Sequence, residues 1–161
     1  MRALALFALP LLLSSCATTG QDAAPRAAAV TESRGGELVP ARQAMMHMAA
    51  TLLFQSVMPA AKNGTDVKAQ QHAAEGLSRF GHSLPGLFPA GSLTPESRAL
   101  PAIWANKADF DAKAHAFGAA ADRLAELAAA GDTAGFAAQA PLVGKGCGAC
   151  HSLYRQEEKR P

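Results

Sequence analysis

The chain has 161 residues, 49% of them hydrophobic, which is enough for one domain with a real core and short of two. Its 15 Lys plus Arg against 13 Asp plus Glu leave a formal charge of +2, without the strongly basic face that a phosphate backbone demands, so nucleic acid is not an expected partner. Alanine and leucine dominate while β-branched and aromatic residues are sparse, and the fold class expected is all-α.

The first stretch, "MRALALFALPLLLSSCATTG", has one basic residue, Arg2, followed by an apolar run from Ala3 to Leu13. That run is too short to span a bilayer and sits where export signals sit. "LSSC", Leu13 to Cys16, resembles the bacterial lipobox, which implies a signal peptide over residues 1–15 and a lipid anchor on Cys16. An ordinary secretory cleavage near "SSCA" is the alternative. Ala17, with no aspartate at that position, resembles lipoproteins sorted onward to the outer membrane, so the expected location is the periplasm, lipid-anchored. Residues 16–36 are small and polar without periodicity and read as a flexible tether, leaving 37–161 for the folded domain.

Beyond the tether, helical periodicity appears in four segments. Leu38 to Met58 places Val39, Arg42, Met46, Ala49, Leu53 and Val57 in one stripe. Thr65 to Ser83 repeats this through Val67, Ala74, Leu77 and Gly81, and Phe110 to Ala130 through Phe110, Ala114, Phe117, Ala121, Leu124 and Ala128. Gly131 and Asp132 stop that helix and cap the next. The last segment carries Phe136, Ala140, Val143, Cys147, Cys150 and Tyr154 on the same four-three alternation, with Pro141 expected to mark a break or a helix start. Short connections imply antiparallel neighbours, whereas Pro85 to Lys107, with four of the ten prolines, is a long crossover that Phe88 and Trp104 are expected to pin. The architecture predicted is an up-down-up-down four-helix bundle.

Near the end stands "CGACH", Cys147 to His151, which matches the attachment signature of c-type haem. Two thiols three residues apart project from nearly the same side of a helix, and the adjacent histidine stays within reach of the same stripe. A redox dithiol would open a helix in a βαβ setting that is lacking here, structural zinc would need further ligands, and a disulfide is the remaining alternative. The expected cofactor is one covalently attached haem c, held by Cys147 and Cys150 with His151 on the iron.

The chain from about Glu37 to Arg160 resembles the class II c-type cytochromes, which include cytochrome c′ and its low-spin relatives. The resemblance rests on "ARQAMM" in the first helix, "LPGLFPAGS" and "LPAIWANKADFDAK" around the crossover, and "VGKGCGACHSLYR" at the end. It implies that Arg42 and Gln43 lie by the haem propionates, that Met46 faces the open side of the iron, and that Arg155 shields the proximal pocket. Independently, antiparallel pairing brings Met46, about 12 Å from the start of its helix, to the depth of His151, about 10 Å from the end of the last. At that depth the facing residues expected on the second and third helices are Leu77 and Phe117. His47 is the alternative ligand on a bent first helix, while His72, His82 and His115 fall off the stripes as surface groups.

Two functions follow. A thioether and an imidazole on iron make a one-electron carrier that rearranges little on transfer, whereas a Met46 that crowds without binding leaves iron open to nitric oxide or carbon monoxide. No paired carboxylates or serine-histidine arrangement lies on the inward stripes, so the chain is not expected to be an enzyme. Expected partners are redox proteins of the periplasm or membrane, with a gas ligand and a second copy of the chain as further candidates.

Overall fold

A computed structural model describes the backbone of residues 23–157 and the side chains of residues 36–157. The expected signal peptide and Cys16 lie outside the described residues. The first helix of the bundle is built in three parts: α1 (Ala23–Thr51), a π-helical segment (Leu52–Val57) and α2 (Met58–Asn63). Pro59 accounts for the wide turn, because it has no N–H to close an α-helical bond and its ring crowds the carbonyl of Gln55. The Met58 N–H accordingly reaches back to the Leu53 carbonyl. Gly64 ends the helix in the left-handed region, φ 65°, a conformation that glycine adopts at no steric cost.

A 3-10 turn (Lys68–Gln70) leads into α3 (Gln71–Ser83), and a second (Leu84–Leu87) opens the crossover, which contains the short α4 (Ala102–Ala105). Then come α5 (Lys107–Ala130) and α6 (Thr133–Tyr154). Their junction follows the expectation: Gly131 closes α5 at φ 71°, and the Asp132 carboxylate accepts the Gly135 N–H at 2.9 Å to cap α6. The first helix packs on α3, α3 on α5, α5 on α6, and α6 back on α2, which closes a four-helix bundle.

The backbone is helical from Ala23, so residues 23–36 continue into α1, and their alanine-rich composition carries high helix propensity even without an amphipathic stripe. One sequence expectation needs correction. Pro141 neither breaks nor starts a helix but lies inside α6, on the exposed side, where water can satisfy the carbonyl it leaves without a partner.

The predicted inward stripes form the core. Leu53, Val57, Leu77, Leu124, Phe136 and Val143 are fully buried, each contributing about 1.5–3 kcal/mol relative to exposure for residues of this size. Fully buried alanines at 74, 114, 121, 128 and 140 let the helices approach closely. The tightest approach joins α3 to α5, where a Cβ on Gly81 would lie 2.7 Å from the Gly118 backbone. His82 lies over Gly118, its Nε2 2.9 Å from the Asp122 carboxylate, and His72, His82 and His115 are all exposed as expected.

Candidate functional site

The last two turns of α6 end beside a cavity of about 290 Å³ that is closed by the upper part of α1 and by the crossover. Its walls are apolar where Val39, Leu84, Phe88, Ile103 and Phe110 meet it, and polar where Arg42, Gln43, His47, Arg98 and Arg155 reach it. Cys150 and His151 enter from α6, and Met46 enters from α1. Edge-on aromatic contacts stiffen one wall, with Phe88 against Phe110 at 4.9 Å and Phe110 against Tyr154 at 5.5 Å between ring centroids.

The crossover is held in place by its own side chains. Trp104 donates from Nε1 to the Pro89 carbonyl at 2.8 Å and packs on Phe88, as the sequence led us to expect. Residues 98–100 then pair with the end of α6: the Leu100 N–H donates to the Tyr154 carbonyl and the Gln156 N–H to the Arg98 carbonyl, both at 2.9 Å. Tyr154 also donates its hydroxyl to Asp109 at 2.5 Å, and that bond pushes the Tyr154 pKa up to about 12. The position of His151 is therefore fixed one turn before a doubly tied residue.

Electrostatics at the cavity are set by arginines. Arg42 is only 4% exposed; it donates from Nη1 to the Ser92 hydroxyl at 3.2 Å and from Nη2 to the Ser92 carbonyl at 2.7 Å, with its guanidinium 4.6 Å from the Phe88 ring centre. Burial lowers its pKa. Among the described residues no carboxylate pairs with it, which leaves a buried cation with capacity for an anion. Burial, helped by Arg155 and Arg98, holds His151 below the ordinary imidazole range, so its ring is neutral at pH 7 and keeps a lone pair for a metal. Burial likewise raises the Cys147 and Cys150 thiols, which are free.

Of the residues singled out from sequence, Arg42, Gln43, Met46, Cys150, His151 and Arg155 line one cavity. Cys147 lies one turn earlier, half-buried against the core and outside that lining. Leu77 and Phe117 do not reach it: both are buried deeper in the bundle, where Phe117 meets Phe80 edge-on at 6.0 Å and lies against Gly146. Leu84 and Phe110 take their place because the end of α6 is level with the first turn of α5, as the Tyr154 contact with Phe110 shows. Sequence reasoning also missed Ser92 and Arg98; "GSLTPESR" offers short polar side chains in a proline-flanked loop, a signal for turns rather than for a site.

Residues 37–155 match the cytochrome c′ family model. The chain belongs to the cytochrome c′ family. Its cofactor is haem c. A cytochrome c-556 from Agrobacterium tumefaciens (strain II Chrys) is 45% identical over 91 residues, covering 56% of this chain and 72% of the relative. A cytochrome c-554 from Cereibacter sphaeroides is 39% identical over 97 residues, covering 58% and 72%. Among solved structures, the nitric oxide complex of a cytochrome c prime variant from Alcaligenes xylosoxidans is similar at a TM-score of 0.69 and 27% identity, over 76% of this chain and 97% of that one. Cytochrome c prime from Shewanella frigidimarina is similar at 0.68 and 28%, with the same coverage. The cavity fits the family's group: apolar walls suit a porphyrin, the buried Arg42, with no carboxylate partner among the described residues, suits a propionate, and a neutral imidazole stands beside a thiol.

Proposed function

We propose that this chain is a periplasmic one-electron carrier rather than an enzyme. In this reading Cys147 and Cys150 would hold the haem covalently and His151 and Met46 would bind its iron, which would supply the one-electron chemistry. The observation that carries the reading is that Met46 and His151, from the first and last helices, line a single cavity. An unbranched thioether can reach a metal without moving its helix, and a ligand retained in both oxidation states keeps rearrangement small. Arg42 would pair with a haem propionate, with Gln43 and Arg155 in the same lining beside it. Greater identity to cytochromes c-556 and c-554 than to a cytochrome c′ from Pararhodospirillum photometricum, 33%, is consistent with the carrier.

The second reading is a five-coordinate gas binder, favoured by the likeness to the nitric oxide complex from Alcaligenes xylosoxidans. In either case Cys16 anchors the domain to a membrane, and the exposed Arg155 beside the cavity would steer acidic redox partners or a second copy of the chain.

Absorption spectroscopy separates the two. The oxidised protein is expected to be low spin with a weak near-infrared sulfur-to-iron band, and Met46→Ala is expected to lose the band, become high spin and bind carbon monoxide. A wild-type spectrum already high spin would replace the carrier by the gas binder. Cys147→Ala with Cys150→Ala should abolish haem that survives denaturing electrophoresis.

A further inference from the structure

Tyr154 brings a charge to the edge of the cavity. It lines the cavity at 6% exposure, and its hydroxyl reaches out of that lining to Asp109 in the first turn of α5. Asp109 accepts the Tyr154 hydroxyl at one carboxylate oxygen and the Lys113 ammonium, one turn on, at the other, 2.6 Å away. Lys113, and after it Tyr154, hold the Asp109 carboxyl below the usual carboxylate range, so it is ionised at neutral pH. Among the described residues no carboxylate lines the cavity itself. Both charges of the pair are felt at Cys150: burial raises its thiol most, Lys113 pulls it down, and Asp109, more weakly than Lys113, pushes it up.

We propose that the Lys113–Asp109 pair sets the reduction potential of the attached haem, with Lys113 offsetting the carboxylate that Tyr154 uses as its acceptor. The proposal rests on the reading that Cys150 attaches the haem, and that reading fails separately, by loss of haem on denaturing electrophoresis. Oxidised haem carries one positive charge more than reduced haem, so a carboxylate nearby favours the oxidised state and lowers the potential, and an ammonium does the reverse. Held together, the two charges largely cancel; with one removed, the other acts alone. An ion pair one turn apart on a helix, with side chains 27% and 49% exposed, adds little to stability, so its effect belongs to the field at the cofactor rather than to the fold.

The test is a spectroelectrochemical titration of the haem-loaded chain and its variants at neutral pH and low salt. Lys113→Gln is expected to lower the midpoint potential and Asp109→Asn, whose amide oxygen still accepts the Tyr154 hydroxyl, to raise it. The double variant should return close to the wild type, and Lys113→Arg, which keeps the charge, should leave the midpoint in place. Tyr154→Phe changes no net charge and should move it less than either single variant. A general loosening of the site would move both single variants in one direction. Shifts of the same sign, or none in Lys113→Gln, would therefore overturn the proposal, as would a Tyr154→Phe shift larger than both. Should Asp109→Asn fail to take up haem, the fall in Lys113→Gln and its absence in Lys113→Arg decide. A wild type that is already high spin would refute ligation by Met46 alone, and shifts of opposite sign would still support the charge pair.

Discussion

Arg42 concentrates the chemistry of the site in one side chain. A guanidinium at 4% exposure loses most of its hydration, and two bonds to Ser92 together with the Phe88 ring offset only part of that loss. Ser92 is fully buried and donates its own hydroxyl to the Pro89 carbonyl at 2.7 Å, so it links the cation to the crossover. Ser92→Ala should therefore leave a buried cation short of an acceptor and destabilise the haem-loaded protein by about 1–3 kcal/mol. The measurement is the urea midpoint at an unchanged denaturant slope; no shift would mean that water replaces the hydroxyl at no cost.

Between elements, the α3 and α5 crossing depends on two glycines. The atoms nearest a Cβ on Gly81 belong to the Gly118 backbone, at 2.7 Å, and a backbone cannot rotate aside as a side chain can. Gly81→Ala should push the helices apart and cost about 1–3 kcal/mol, the range for overpacking a close interface. Gly86→Ala, where nothing lies within 4 Å, should stay within about 0.5 kcal/mol. Thermal melts of the two variants check the contrast, and equal melting temperatures would show that the crossing has slack.

At the scale of the whole molecule, the bundle is filled with aliphatic side chains over most of its length and opens into a cavity at the end where the crossover, α1 and the end of α6 meet. The long connection is what makes room there, since short turns would have drawn neighbouring helices into contact. Among the described residues no helix is long and apolar enough to cross a membrane; the proposed membrane attachment is the lipid on Cys16. Cys16→Ser should move the haem-containing protein from the membrane to the soluble fraction on cell fractionation, because acyl chains supply the affinity. Persistence at the membrane would point instead to a retained apolar leader.

What the sequence by itself determined is what is local. Cys147, Cys150 and His151 fall within about one helical turn, so periodicity alone brings them to one side, and the Gly131-Asp132 pair sets a helix boundary through backbone conformation and one hydrogen bond. The four inward stripes were legible for the same reason, since a repeat near 3.6 residues needs only its own helix. Depth and azimuth between helices were not legible. Leu77 and Phe117 were expected at the cavity, and Leu84 and Phe110 line it, because relative height depends on where each helix starts and on how residues 98–100 pair with the end of α6. Ser92 and Arg98 come from a loop whose path is set by Trp104, Phe88 and that pairing, none of which leaves a periodic signal. The π turn belongs with these: Pro59 is visible in the chain, but whether a helix answers a proline by kinking, ending or widening is decided by the core that holds both sides of it.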